Sequence, residues 1–220
     1  MKLIGVFGAS GFGREVLPLV RHQLLKENLE SFKLVFIDDA PPASLINGIP
    51  CMSYREFIEQ KAIDKQVSLA IANSNIREQL ALRLMQDQIK FLQVRASNVV
   101  ELDNVQIGEG AILSPFVTLT SNISIGKQFH ANIYSYVAHD CVVGNFVTFA
   151  PSVQCNGNVI IEDHAYIGTG AIIRQGTPNS PLVIGRGAVV GMGAVVTKSI
   201  PPEMTVVGNP AKPLIKNNHA

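Results

Sequence analysis

The sequence predicts a two-part fold: an α/β domain over residues 1–96, then a parallel β-helix over residues 97–200, closed by a segment spanning 201–220. Two observations carry this. Up to about Ala96, strand-like and helix-like stretches alternate and hold most of the Lys, Arg and Glu, the pattern of a small parallel sheet with helical crossovers. From Ile107 to Ile173, every sixth residue is apolar: Ile107, Leu113, Leu119, Ile125, Ala131, Val137, Val143, Phe149, Cys155, Ile161, Ile167 and Ile173. In a chain with 47% hydrophobic residues such a run arises by chance roughly once in 10⁴. Neither a helix, with its period of 3.6, nor a half-buried strand, with its period of 2, produces it. A coil of three short flat strands does, because each apolar residue then stacks on its equivalent ~18 residues later inside a triangular prism.

The elements follow in order. Leu3–Phe7 reads as a strand, Gly8-Ala-Ser-Gly-Phe-Gly13 as a tight turn, and Arg14–Lys26 as a helix. A second strand, Lys33–Ile37, ends in Asp38-Asp39; a Pro-containing loop and a short helix around Tyr54–Gln60 follow. The third strand, Gln66–Ala72, leads into a helix capped by Asn73 or Ser74 that runs to about Asp87, and Phe91–Val94 is a last strand. At about 95 residues this domain is half of a dinucleotide-binding Rossmann fold. In the β-helix, the position four after each apolar residue is also small or apolar, as at Ala111, Val117, Val159, Ala165 and Ala171, and Gly often comes next, as at Gly108, Gly126, Gly144 and Gly168. The rhythm breaks once, at Gly176–Leu182, and resumes at Ile184, so that segment leaves the prism as an external loop. Ile184, Val190 and Val196 complete the last coil. The Pro-rich tail after Ile200 cannot continue the repeat and covers its open end.

Composition narrows the function classes. A net charge of +1, with no interleaving of basic and aromatic residues, gives no footprint for a nucleic acid. The apolar N-terminal run is short and broken by glycines, unlike a signal sequence, and no stretch reaches the length of a membrane span. Cys51, Cys141 and Cys155 are widely spaced, and the latter two fall on inward positions, so a reduced, cytoplasmic protein is expected. The His, Cys, Asp and Glu residues lack metal-ligand spacing, so no metal is expected.

Gly8-x-x-Gly11-x-Gly13 lies between a strand and a helix, where free N–H groups and the helix dipole attract a diphosphate; Ser10 lies within it. The spacing is not the dinucleotide Gly-x-Gly-x-x-Gly, and an unliganded tight turn is the alternative. Asp38, with Asp39 beside it, is placed to meet ribose hydroxyls or a base N–H, with a turn cap as its alternative. Together these features point to a nucleotide carrying one nucleoside, such as a nucleotide-linked sugar. In the β-helix, His139 falls two places after inward Val137, at an outward corner, with Asp140 beside it to orient the ring. His130 and His164 occupy other phases and read as structural or solvated. Arg174, Arg186 and Lys198 lie late in the solenoid, either to meet coenzyme A phosphates or as ordinary surface charge.

The stretch Val-Ala-His139-Asp140-Cys-Val-Val-Gly, then Phe149-Ala-Pro151 and Gly157-Asn158-Val159, together with the leading glycine turn and the closing Gly208-Asn-Pro-Ala211, resembles one family over nearly the whole chain. It is the family of hexapeptide-repeat sugar acetyltransferases that holds sialic acid O-acetyltransferases and UDP-4-amino-sugar N-acetyltransferases; the chain resembles in particular the branch that acetylates UDP-N-acetylbacillosamine. The resemblance implies a left-handed β-helix, acetyl-CoA as co-substrate, and His139 as general base supported by Asp140. It implies substrate contacts from Gly8, Ser10, Gly11, Gly13, Asp38, Asp39, Asn73 and Asn132, and acetyl-CoA contacts from Thr148, Gly157, Thr169, Gly187 and Lys198. The segment Ala-Ile-Ala-Asn73-Ser-Asn75-Ile-Arg77 also resembles a family segment. Three departures stand out: Phe12 and Thr148 occupy places where the family commonly has His, and the Gly176–Leu182 loop is additional.

The function expected is acetyl-CoA-dependent N-acetylation of the C4 amine of a UDP-linked 4-amino-4,6-dideoxy sugar for bacterial glycan assembly. Sialic acid O-acetylation and a non-catalytic nucleotide-sugar scaffold are the alternatives. Apolar residues stand on outward positions, such as Phe116, Phe146 and Tyr166, and the resemblance implies that such faces are buried against two neighbours, in a homotrimer with its sites at the seams.

Overall fold

A computed structural model describes residues 1–27 and 31–214. The described residues form two compact units: those up to 97 together with 109–114, and 98–108 together with 115–214.

The first unit is built on β1 (Lys2–Phe7), flanked in parallel by β2 (Phe32–Ile37) and β5 (Asp64–Leu69). Between them run α1 (Gly11–Lys26), the hairpin β3 (Leu45–Ile46) and β4 (Ile49–Met52), and α2 (Tyr54–Glu59); α3 (Ser74–Gln86) and β6 (Lys90–Phe91) follow β5. The sheet order is β3-β4-β2-β1-β5-β6, so the chain reverses direction across the sheet between β1 and β5. A crevice outside the C-terminal ends of those two strands is where open α/β sheets hold ligands. Val16, Leu17, Val20 and Leu24 of α1, spaced to share one helix face, bury against Ile4, Val6, Leu34 and Phe36.

Several elements differ from the sequence reading. The first helix starts at Gly11 rather than Arg14, so Gly11 and Gly13 belong to its first turn. The expected loop after Asp39 contains the β3–β4 hairpin, reversed at Asn47-Gly48, both with positive φ. That Asn-Gly pair is a strong hairpin signal which flanking prolines obscured. The third strand stops at Leu69, and Phe91–Val94 is no single strand: Lys90–Phe91 pairs with β5, while Val94–Arg95 pairs in parallel with Ile112–Leu113.

The second unit is a left-handed parallel β-helix. Its rungs repeat at the same register throughout: Val137 lies on Cys155, Cys155 on Ile173, and Val143 on Ile161. Leu119, Ala131, Val137, Val143, Phe149, Cys155, Ile161, Ile167 and Ile173 are all buried, as the period of six requires. The corners recur at the same period. Asn104, Phe116, Asn122, Gln128, Tyr134, Asp140, Phe146, Ser152, Asn158 and His164 all adopt left-handed φ between 55° and 64°. Side chains other than Gly and Asn rarely accept that conformation, and here ring stacking accompanies it: Phe116 on Tyr134 at 4.9 Å and Phe146 on His164 at 5.3 Å.

The loop after Ile173 leaves the register intact, since Ile161 pairs with Ile184 across it. Its root is fixed: Gly176 N–H donates to Gly157 and Leu182 N–H to Asn158. The tail departs from expectation. Thr205–Val207 pairs in parallel with Val189–Val190, adding a rung to one face, and only then does Lys212–Pro213 fold back antiparallel. Proline stops a strand through its missing N–H, and Pro201 and Pro202 precede this one rather than interrupt it.

Candidate active site

In the first unit, the C-terminal end of β1 narrows to backbone. Gly8 holds φ of +108° and donates its N–H to the Ile37 carbonyl at 2.8 Å; a side chain there would meet the Ala70 carbonyl oxygen at 2.7 Å. Gly13 has no room for a Cβ, which would overlap the Gly8 carbonyl. Gly11, in contrast, faces open space. Ser10 is the N-cap of α1, exposed, and its hydroxyl makes no cap bond. Phe12 packs against the apolar core of the unit.

Asp38 is already engaged: its carboxylate accepts the Ala9 N–H at 3.2 Å and the Ala40 N–H at 3.1 Å. It ties the glycine turn to the end of β2, and each oxygen retains a further lone pair for a ligand. Asp39 pairs with Arg83 at 3.2 Å, and that guanidinium lies 3.9 Å above the Tyr54 ring. Tyr54 donates to Asp87 at 2.6 Å; burial, then this bond, push its pKa up. Asn73 caps α3, accepting N–H bonds from Asn75 and Ile76 at 3.1 Å each.

Arg77 is a residue whose burial the sequence hid. Its side chain is fully buried beneath the turn after β5 and donates to the carbonyls of Ile71 at 2.6 Å and Ala72 at 3.2 Å. Burial lowers its pKa to about 9, so it stays charged at neutral pH.

In the second unit, His139 and Asp140 meet as the pattern suggests. His139 Nδ1 lies 2.7 Å from Asp140 Oδ2, with both side chains about half exposed. An ionised carboxylate only accepts, so Nδ1 carries a proton and donates it to Asp140, which leaves Nε2 as the ring's other nitrogen, on the side of Gly157. Hydrogen bonds from His139 and then Asn122 hold the Asp140 carboxyl below the usual carboxylate range. The imidazole lies against Gly157: a Cβ there would sit 2.5 Å from the ring's Cε1 and Nε2. Asn132 is half-buried, its side-chain oxygen taking the Ile133 N–H at 2.7 Å.

The register places Lys198 in His139's column: Val137, Cys155, Ile173 and Val196 stack in turn, and His139, Gly157, Gln175 and Lys198 lie two places after each. Thr148, buried in its strand, exposed Thr169, and Gly187 stand in other columns of the chain. Gly187 has φ of +64° and lies against the Glu203 carboxylate. Arg186 bonds Asp163 at 2.9 Å, so it is part of the coil's own ion pairing. Cys141, next to Asp140, is buried, and its thiol faces the carbonyls of Asn156 at 3.2 Å and His139 at 3.6 Å. Among the described residues no group of three or more His, Cys, Asp or Glu is arranged to hold a metal, and no helix is long and apolar enough to cross a membrane.

Known proteins resemble the chain along its whole length. The family described as the PglD N-terminal domain matches residues 3–84. The GDP-perosamine N-acetyltransferase of Escherichia coli O157:H7 is 49% identical over 214 residues, 97% of each chain. The chain belongs to the hexapeptide-repeat amino-sugar N-acetyltransferases. Among solved structures, WeeI from Acinetobacter baumannii AYE superposes with a TM-score of 0.93 at 60% identity, over 97% of this chain and all of that one. The acetyltransferase domain of PglB from Neisseria gonorrhoeae FA1090, solved with acetyl coenzyme A, gives 0.82 at 27% identity, over 96% and 98% of the two chains.

Proposed function

We propose that this chain transfers the acetyl group of acetyl-CoA to the C4 amine of a nucleotide-linked 4-amino-4,6-dideoxy sugar, with UDP as the nucleotide, as a cytoplasmic homotrimer. The observation that carries the reading is the His139–Asp140 pair with its ring against Gly157, in a chain 49% identical to an amino-sugar N-acetyltransferase. The amine nitrogen attacks the thioester carbonyl, and His139 Nε2 takes the proton that this nitrogen sheds. The Gly157 amide, one rung below, meets the developing oxyanion. Collapse breaks the C–S bond, and the departing thiolate recovers the proton from His139. No acyl-enzyme forms: the two thiols near the histidine, Cys141 and Cys155, are buried, and Cys141 is turned toward backbone carbonyls.

Lys198, exposed and three rungs along the same column, stands ~14 Å from His139 at the usual strand spacing, within range of a coenzyme A phosphate. Thr148, Thr169 and Gly187 are assigned to acetyl-CoA across a subunit seam. Exposed Phe116 and Tyr166 on the outer faces support that assembly. Gly8, Ser10, Gly11, Gly13, Asp38, Asp39 and Asn73 are assigned to the nucleotide, and Asn132 to the sugar. Three free cysteines suit a reducing compartment.

A second reading of the nucleotide has its own support, because the Escherichia coli relative is named for GDP-perosamine. The test is a comparison of kcat/KM with acetyl-CoA for UDP- and dTDP-4-amino sugars, GDP-perosamine, CMP-sialic acid and free sialic acid. The UDP-4-amino sugar is expected to lead. A lead for GDP-perosamine replaces the nucleotide and keeps the reaction; a lead for free sialic acid replaces both. Thermal stabilisation by acetyl-CoA separates an enzyme from a nucleotide-sugar scaffold, which has no use for that ligand.

A further inference from the structure

The corner that carries Asp140 is part of a column of amide and carboxylate side chains. Asn104, Asn122, Asp140 and Asn158 recur one coil apart, all with left-handed φ between 55° and 59°. Three of them bond in series: Asn104 Nδ2 donates to Asn122 Oδ1 at 3.0 Å, and Asn122 Nδ2 donates to Asp140 Oδ1 at 3.2 Å. Asp140 Oδ2 then takes His139 Nδ1 at 2.7 Å. The direction is forced from one end. An ionised carboxylate has no proton to give, so Asn122 must turn its amide nitrogen to Asp140; its oxygen then faces Asn104, which must donate in turn. A shallow groove of about 270 Å³ opens along this column, lined by Asn104, Asn122, Ser124, Asp140, Cys141 and Val142.

We infer that Asn122 is a positioning residue for the proposed base: with Asn104 behind it, it fixes the Asp140 carboxylate so that one oxygen always faces His139 Nδ1. Without that donor Asp140, about half exposed, is free to rotate about χ2 and to exchange its bond to His139 for water. The ring would then lose both its tautomer and its orientation, which outer partners of a working histidine normally supply. The inference rests on the reading of His139 as the base.

Two substitutions respect the strained corner, since glycine and aspartate both accept left-handed φ. Asn122→Gly removes the donor and is expected to lower kcat about 10-fold, the size of effect seen for outer partners of functional histidines, with KM for acetyl-CoA unchanged. In an Asp140→Asn background the same change is expected to have no further effect. Asn122→Asp keeps the shape but sets a carboxylate against Asp140 Oδ1, so one of the two must hold a proton to higher pH. The acid limb of the pH–rate profile is then expected to move upward. The other titratable groups at this corner are His139 and the buried thiols of Cys141 and Cys155. If Asn122→Gly does not fold, the limb shift in Asn122→Asp decides alone. Wild-type kcat and pH profile in both variants, with His139→Ala inactive, overturns the role of Asn122 and leaves the base in place. Full activity in His139→Ala overturns both.

Discussion

The two units build their candidate sites in opposite ways. The α/β unit gathers residues that occur once: Gly8 and Gly13 where no side chain fits, Asp38 between two N–H groups, and Arg77 buried under a turn. The solenoid uses positions that occur in every coil, and the candidate site lies where an ordinary corner is given an unusual side chain. His139-Asp140 occupies the same kind of corner as Ser121-Asn122 and Gly157-Asn158. Damage in the first unit is therefore expected to act through shape, and at the solenoid corners through chemistry with the prism intact.

The largest expected effect tests the corner. His139→Ala should lower kcat by ~10²–10⁴-fold while the melting temperature and oligomeric state stay those of the parent. A matching collapse in stability would show that this corner is structural. The prism interior is the converse case. Phe149 is fully buried, edge-to-face with Phe129 at 5.2 Å, and Phe149→Ala should cost ~3–5 kcal/mol in a denaturant titration.

The glycine turn sharpens the contrast within the other unit. Gly13→Ala cannot be accommodated without moving the β1–α1 backbone and should abolish nucleotide binding measured by calorimetry. Gly11→Ala, in a helical turn facing open space, should leave the β1–α1 backbone in place and change the stability of the free protein by less than ~1 kcal/mol, in the favourable direction, with a smaller loss of nucleotide binding than Gly13→Ala. Equal effects from the two would remove the steric account. Asn73→Ala should cost ~1 kcal/mol through the lost cap of α3.

The smallest effect is one of pH. Asp64 is held below the usual carboxylate range, first by Gln66 and then by Lys90. Its folded pKa is depressed, so its contribution is complete above the ordinary carboxylate pKa and disappears as pH falls through the lowered one. Asp64→Asn should erase that part of the acid sensitivity and leave stability near pH 7 within a few tenths of a kcal/mol, since such exposed pairs contribute little.

How far the sequence could be read follows the same division. Repetition made the solenoid legible: each inward position is confirmed by its neighbours, and the break at Gly176–Leu182 stood out against them. The His139–Asp140 pair was visible as an adjacent dyad. Asn122 and Asn104 carry a usable signal, polar residues one coil and two coils before Asp140, which is overlooked when only apolar positions are followed. In the α/β unit no repeat checks a local guess. The glycines of the turn look alike in sequence, and only the packing distinguishes Gly13 from Gly11. The burial of Arg77 leaves no mark in the sequence, because charge normally stays in water. In the tail, proline suggests an end to the repeat, but Thr205–Val207 needs only one free edge to pair with.

The stacking of His139 over Gly157 carries one more consequence. These residues lie one coil apart, joined through the Asn158 N–H to the His139 carbonyl at 3.0 Å. The separation of their two backbones is therefore the strand-to-strand spacing of a hydrogen-bonded sheet, ~4.8 Å. Nothing in a loop can lengthen or shorten it. Substitutions elsewhere in the protein leave that spacing unchanged, so the backbone of Gly157 stays one rung from the corner that carries His139.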